Sequence, residues 1–396
     1  MRRLGIPRRT SALIGANSLS AAVQGQFQFV LPWMLLARGY SPQAAAIATG
    51  LVYVPLLLTA FPAGATSDNA DPRRLMRIAT IVALAGCALY PLAALAGHDW
   101  FVLVLVAAVV VGSTRNFSEG ALFRGIGDTT LAGGGLLRAH AVRTTVNQAA
   151  VFGSPFLGLL LYRAGGVTAV LTGICALLVA SVLILGLVPE LERGSESVEV
   201  MRENVADGVA SLRGNSRLRA IGWVNLTWNV FAGAAIGIMP AVLREHLGMD
   251  ELQASATFIA GAVVVVLLTL PVTRIAQRRL GALSTFIISI TIQGVALFLF
   301  ADPRAAIIGP LVYCLFLLSN STAAASLNGA RATEVDHDHQ GLLNMMLLTV
   351  GLIGFITGIV LAAGLLGRLG FGVLLVVIGI GMAATAAGFR RPLVAA

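Results

Sequence analysis

The sequence contains no lysine, and all 27 of its basic residues are arginine. A phosphate-binding loop of the G-x-x-x-x-G-K type needs its lysine, and a pyridoxal Schiff base needs a lysine amine, so neither an ABC-type ATPase nor a pyridoxal enzyme fits. Energy for any work must come from elsewhere. Charge of either sign is scarce as well: 11% of the 396 residues are charged and 57% are apolar, with a mean hydropathy of +0.87. A soluble domain carries roughly 25% charged residues, so this is not one. Cysteine is rare. Cys87, Cys175 and Cys314 lie inside apolar runs, without C-x-x-C spacing or a neighbouring histidine, and read as packing residues rather than disulfides or metal ligands. The net charge of +9 would point to nucleic acid only if the arginines shared one water-facing surface, and they are scattered between apolar runs. No nucleic-acid partner is expected.

What the chain has in abundance is long hydrophobic runs. A hydrocarbon core of about 30 Å takes about 20 apolar residues per helix, and about twelve runs of that length occur. They span approximately 11–36, 42–64, 75–97, 100–122, 138–162, 166–188, 219–243, 252–273, 281–300, 304–327, 342–364 and 369–389. Arg2, Arg3, Arg8 and Arg9 before the first run resemble the start of a signal peptide, but the run is too long and too rich in glutamine, and it feeds directly into further spans. It is expected to be a mature helix. An all-α integral membrane protein of about twelve transmembrane helices follows.

Orientation comes from the arginines, which are retained on the cytoplasmic side. Alternate connections put Arg73, Arg74, Arg77, Arg278, Arg279, Arg390, Arg391 and others with the N-terminal cluster on one side, and only Arg38, Arg163, Arg244, Arg304 and Arg368 on the other. Both termini are expected in the cytoplasm, the membrane being a bacterial-type inner (plasma) membrane. The one long polar stretch, at 189–218, divides the chain into an N-terminal six-helix bundle (1–188) and a C-terminal one (219–396). Within it Val198, Met201, Val205, Val209 and Leu212 recur at helical spacing, as expected of a helix lying on the membrane surface or of a solvated linker.

The halves echo each other. Phe61-Pro62 followed by Arg73-Arg74 has a counterpart in Leu270-Pro271 followed by Arg278-Arg279. Gly153, Pro155 and Gly158 in span five match Gly351, Gly354 and Gly358 in span eleven. Parallel repeats of this kind form two pseudo-symmetric bundles that rock around a midplane cavity.

These residues resemble the major facilitator superfamily over essentially the whole chain. The loop Gly64-Ala-Thr-Ser-Asp68-Asn-Ala-Asp-Pro-Arg73-Arg74 is similar to that superfamily's signature after span two, with Asn69 and Asp71-Pro72 departing from the usual pattern. The resemblance implies a cytoplasmic gating role for Asp68, Arg73 and Arg74. Gly153-Ser154-Pro155-Phe-Leu-Gly158 resembles the Gly-Pro motif of the exporters, although glycine and proline are frequent in membrane helices in any case. Val54-Pro55-Leu56, Asp207-Gly208 to Leu212 and Glu334 to Gly341 look similar to the group of enterobactin exporters and macrolide efflux pumps, with Gln24 near the place of an acid often found in their first span. The superfamily's two-bundle unit usually works as a monomer.

A polar group within a span costs a few kcal/mol by insertion scales, so such groups normally face a cavity or a partner. Asn17, Gln24 and Gln28 fall on one face of span one and can bind substrate or form a polar seam between helices. In span four, Arg115 and Glu119 stand at i and i+4, where their side chains meet. Glu119 is the only acid within a span. It is the candidate proton-coupling residue unless Arg115 holds it ionised in a static pair, and Arg115 is its switch or an anion contact. Asn225, Trp228 and Asn229 share a face of span seven, where aromatic and amide groups together suit a bulky amphiphile. Tyr313 and Asn320 of span ten and Asn344 of span eleven complete the substrate candidates, and in the superfamily spans one, four, seven and ten line the cavity. His140, Arg143 and Asn147 lie at the start of span five near the cytoplasmic face; His140 could titrate near neutral pH and act in gating, but reads rather as an exposed or hydrogen-bonded interface residue. Asp336-His337-Asp338-His339 has a metal-binding composition, but a short cytoplasmic turn offers no further fixed ligand, so neither a metal nor any cofactor is expected.

The expected function is a secondary active transporter, a proton-coupled exporter of a small amphiphilic molecule such as a siderophore, macrolide or drug. The alternatives are an importer or sugar-efflux protein of the same architecture and, remotely, an intramembrane transferase, which would need a cluster of histidines or acids within reach of lipid.

Overall fold

The computed structural model describes residues 7–130, 136–189, 215–334 and 340–394. Every regular element among them is helical. In chain order these are α1 (Arg8–Ala37), α2 (Pro42–Asn69), α3 (Pro72–Leu95), α4 (Val102–Thr130), α5 (136–164), α6 (167–186), α7 (Ser216–Ala241), α8 (Glu251–Leu280), α9 (Ala282–Ala301), α10 (Gly309–Glu334), α11 (340–369) and α12 (371–394). The polar stretch 190–214 and the Asp336–His339 tract lie outside the described residues.

The punctuation is local chemistry. Gly166, at φ +63°, breaks α5 from α6, and Gly370, at φ +70°, breaks α11 from α12, a left-handed backbone that glycine alone adopts without strain. Asp71 caps α3 by accepting from the Arg74 backbone N–H at 2.8 Å, with Pro72 opening the helix. Asp250 and Gln253 form a reciprocal capping box on α8, at 2.8 and 3.1 Å.

Among the described residues nine helical stretches are long and apolar enough to cross a membrane, two of them being the α5–α6 and α11–α12 pairs. Helix α1 falls outside that set, because the amides Asn17, Gln24, Gln26 and Gln28 dilute its hydropathy. Its side chains are nonetheless largely buried, Trp33 and Phe27 almost completely. Leu58, Leu183, Leu267, Leu311 and Val360 point outward. Hydrocarbon tails are as apolar as leucine, so a bilayer satisfies these faces.

The chain divides into two compact units, Met1–Met34 with Leu51–Glu196, and Leu35–Gly50 with Ser197–Ala396. The first has an apolar core at one end, where Leu13 and Ile14 of α1 meet Leu75 of α3, Leu122 and Ile126 of α4 and Leu185 of α6. In the second, α7 and α11 approach until their backbones touch. A Cβ on Gly233 would come 2.1 Å from the Phe355 carbonyl oxygen, and one on Gly358 would come 1.8 Å from that of Val230. The first unit repeats this contact between α1 and α5, where a Cβ on Gly25 would lie 2.2 Å from the Val151 oxygen. The Gly-Pro segment of α5 thus has a packing function: Ser154 donates to the Ala22 carbonyl at 2.7 Å in the same crossing.

Candidate functional site

The close α1–α5 crossing determines which side chains meet. Two turns before Gly25, Asn17 and Ser18 stand opposite Asn147 of α5, and Ser18 Oγ donates to Asn147 Oδ1 at 3.0 Å. Arg115 and Glu119 project from one face of α4 into the same place.

Arg115 is 6% exposed and fully committed. Its Nε–H donates to Gln24 Oε1 at 3.1 Å, one terminal nitrogen to Asn17 Oδ1 at 2.8 Å, and the other to Glu119 Oε1. The Glu119 carboxylate takes four side-chain donors. Oε1 accepts from Arg115, from Asn147 at 3.2 Å and from Asn17 at 3.4 Å, while Oε2 accepts from Arg143 of α5. Arg143 also lays its guanidinium over the Phe123 ring, 3.8 Å from the centroid, and its buried Nε has no hydrogen-bond partner among the described residues. The cluster therefore sets two guanidiniums against one carboxylate.

Of the polar residues expected on α1, Asn17 and Gln24 join this cluster, and Gln28 is buried one turn beyond Gln24, outside these bonds. Arg143 and Asn147, placed from sequence at the start of span five without a role of their own, are direct partners of Glu119. Helical spacing within one span reveals a pair such as Arg115–Glu119, but the distance between α4 and α5 has no signature in the sequence.

The second unit carries a neutral counterpart. Trp228 Nε1 donates to Gln293 Oε1 at 3.1 Å, and Gln293 Nε2 donates to Asn320 Oδ1 at 2.9 Å, joining α7, α9 and α10. Phe286 meets the Trp228 ring edge-on, at 5.6 Å and 87°. Asn225 donates to the Leu347 carbonyl at 2.7 Å and accepts from Asn229 at 3.0 Å. Tyr313 is fully buried against Phe258, with no partner for its hydroxyl and apart from this relay. Gln293 was not singled out from sequence. The signal was there, as the one amide of α9, four residues after Ser289 and eight after Thr285 and so on one face with them.

At the signature loop, Arg73 Nε donates to the Leu185 carbonyl at 2.9 Å and Arg73 NH2 to that of Gly186 at 3.2 Å, so this side chain caps the end of α6. Arg74 is exposed. The side chains of Asp68, His140 and Asn344 lie outside the described residues.

Twelve long helices among the described residues, two units that each repeat a close crossing, and polar clusters held inside apolar bundles define a multi-pass membrane transporter. Residues 13–341 match the Major Facilitator Superfamily, and the chain belongs to that superfamily; it is a transporter, not an enzyme. The multidrug efflux pump Tap of Mycobacterium tuberculosis is 25% identical over 291 residues, which is 70% of this chain and 68% of Tap. Among solved structures, the nucleoside transporter NupG superposes with a TM-score of 0.72 at 13% identity, over 98% of this chain and 100% of that one. The human organic anion transporter MFSD10 does so with 0.69 at 15%, over 97% and 100%. At such identities these two likenesses are of fold alone.

Proposed function

We propose that the chain is a secondary active exporter, which moves a small amphiphilic organic molecule out of the cell by alternating access and leaves it chemically unchanged. The observation that carries this is the Arg115–Glu119–Arg143 cluster, because ionisable groups inside a membrane are retained at a cost and mark the path of what is carried. The similarity to the multidrug efflux pump Tap favours export, and the aromatic and amide relay Trp228–Gln293–Asn320 favours a ligand with an apolar or aromatic body, whether siderophore, macrolide or drug. Import is the competing direction, since alternating access runs as gradients and affinities dictate.

In this reading Glu119 is the counter-ion of two arginines, and a proton can take its place on the carboxylate only when a guanidinium lets go. Asp68, Arg73 and Arg74 have the gating role implied by the signature loop, Arg73 while also capping α6. The protein works as a monomer in the inner (plasma) membrane, as is usual for the superfamily's two-bundle unit, with both termini in the cytoplasm, as the arginine asymmetry favours.

The test is accumulation of a panel of macrolides, catecholate siderophores, amphiphilic dyes and sugars in cells making the wild-type chain or Arg115→Gln at matched levels. Lower accumulation of at least one compound with the wild type alone, its chemical form unaltered, is the expected result. Equal accumulation of every compound, or raised accumulation with the wild type, overturns export.

A further inference from the structure

We propose that the charged cluster of the first unit is an anion subsite, and that the molecule carried is an amphiphile with a single carboxylate that replaces Glu119 on Arg143. This rests on the exporter reading for what is carried, and on the geometry of the cluster for how it is held.

The charge count comes first. Glu119 offers one oxygen to each guanidinium, and the other partners of the cluster, Asn17, Ser18, Gln24 and Asn147, are neutral. Among the described residues one positive charge is left over, on side chains that are 6% and 14% exposed. A buried excess charge is costly and is relieved by a group of opposite sign. A substrate ammonium would add to the excess. A neutral amide leaves it in place. A carboxylate cancels it.

The geometry then says which arginine changes partner. Arg115 spends its three nitrogens on Gln24, Asn17 and Glu119, so Glu119 stays tethered to its own helix. Among the described residues Arg143 makes a single ion pair, and its buried Nε–H has no partner. Nε and a terminal nitrogen together make the fork that a carboxylate accepts with both oxygens. The Phe123 ring beneath that guanidinium is half exposed and supplies apolar surface beside the charge, which suits an acid on an apolar body. Energetically the direction is coherent, because an anion leaving the cell runs with the inside-negative membrane potential, which adds to whatever gradient drives the exporter.

The experiment uses three probes with one body: dansylglycine (carboxylate), dansylglycinamide (neutral) and dansylethylenediamine (ammonium). Binding to the purified full chain in nanodiscs is read from dansyl fluorescence. Dansylglycine is expected to bind with a Kd about tenfold or more below the other two. Arg143→Gln should lose most of that preference, and Arg143→Lys, which keeps the charge without the fork, should retain more of it. An amide or amine that binds as tightly as the acid, no binding of dansylglycine, or an unchanged preference in Arg143→Gln each overturns the subsite. Should Arg143→Gln fail to fold, the wild-type order of the three probes decides. Efflux from loaded proteoliposomes separates the two claims. Movement of the amine or amide in preference to the acid removes the subsite and leaves the exporter, whereas tight binding of the acid without movement of any probe removes the exporter and leaves the subsite.

Discussion

Asn17 and Asn225 hold the same place in the two halves of the chain and serve different ends there. Each stands eight residues before the glycine, Gly25 or Gly233, at which its helix touches the backbone of a partner. Asn17 donates to Glu119 and accepts from Arg115, inside a charged cluster. Asn225 donates to a main-chain carbonyl and accepts from Asn229, inside a neutral one. A duplicated framework thus carries a charged polar centre in one unit and an uncharged one in the other.

The charged centre should be brittle toward loss of its acid. Glu119→Gln leaves two buried guanidiniums without a counter-ion, and breaking a buried pair this way costs about 3–5 kcal/mol. A large fall in melting temperature in detergent is expected, with part of it restored by adding Arg143→Gln. Equal melting of the single variant and the wild type would mean that solvent already compensates the cluster.

Close backbone crossings make glycine positions unequal. Gly358→Ala would place a Cβ 1.8 Å from the Val230 oxygen and should yield little folded protein. On the same helix Gly364 is exposed with open space around it, and Gly364→Ala should be neutral or gain up to about 1 kcal/mol from helix propensity. Size-exclusion profiles and thermal melts of the two variants, compared side by side, check this.

In the neutral relay, Gln293 is the joint. Gln293→Leu leaves the Trp228 indole N–H and the Asn320 amide without that partner, at a cost of about 1–3 kcal/mol. Melting temperature should fall, and the order of preference within a substrate panel should change because the Trp228 ring is no longer fixed. Unaltered preference would make the relay purely structural.

Arg73 separates capping from gating. Its bonds to the Leu185 and Gly186 carbonyls are partly solvent-screened, so Arg73→Gln should cost about 1 kcal/mol, and capping alone would lower transport only as the folded fraction falls. A slower turnover at undiminished stability would show that it acts in the gate as well.

Much of the fold was legible in the sequence because the physics of a membrane is one-dimensional along the chain. Runs of about 20 apolar residues, interrupted by glycines such as Gly166 and Gly370, locate helices whatever their partners. The site was legible only where it is local. Arg115 and Glu119 share a helix face at i and i+4, and Asn17 and Gln24 are two turns apart, so periodicity finds them. Arg143 and Asn147 reach Glu119 across a helix crossing that no single span records, and Gln293 shares a buried face of α9 with Thr285 and Ser289 at four-residue spacing, a period that does not say which helix it meets. Tyr313 shows the converse: a polar group that looks available in sequence is packed against Phe258, because one face of α10 is occupied by α8.

The most direct test of a carrier whose path runs through the charged cluster is efflux from sealed proteoliposomes loaded with the compound panel, with an internal pH dye recording any proton flux. The wild type should be compared with Arg115→Gln/Glu119→Gln, which removes the pair together and leaves the net charge of the cluster unchanged. The wild type should release at least one compound chemically intact, about tenfold or more faster than the double variant, a loss of about 1.4 kcal/mol or more at the barrier. Equal release by both proteins, or release no faster than from protein-free vesicles for every compound, would contradict it.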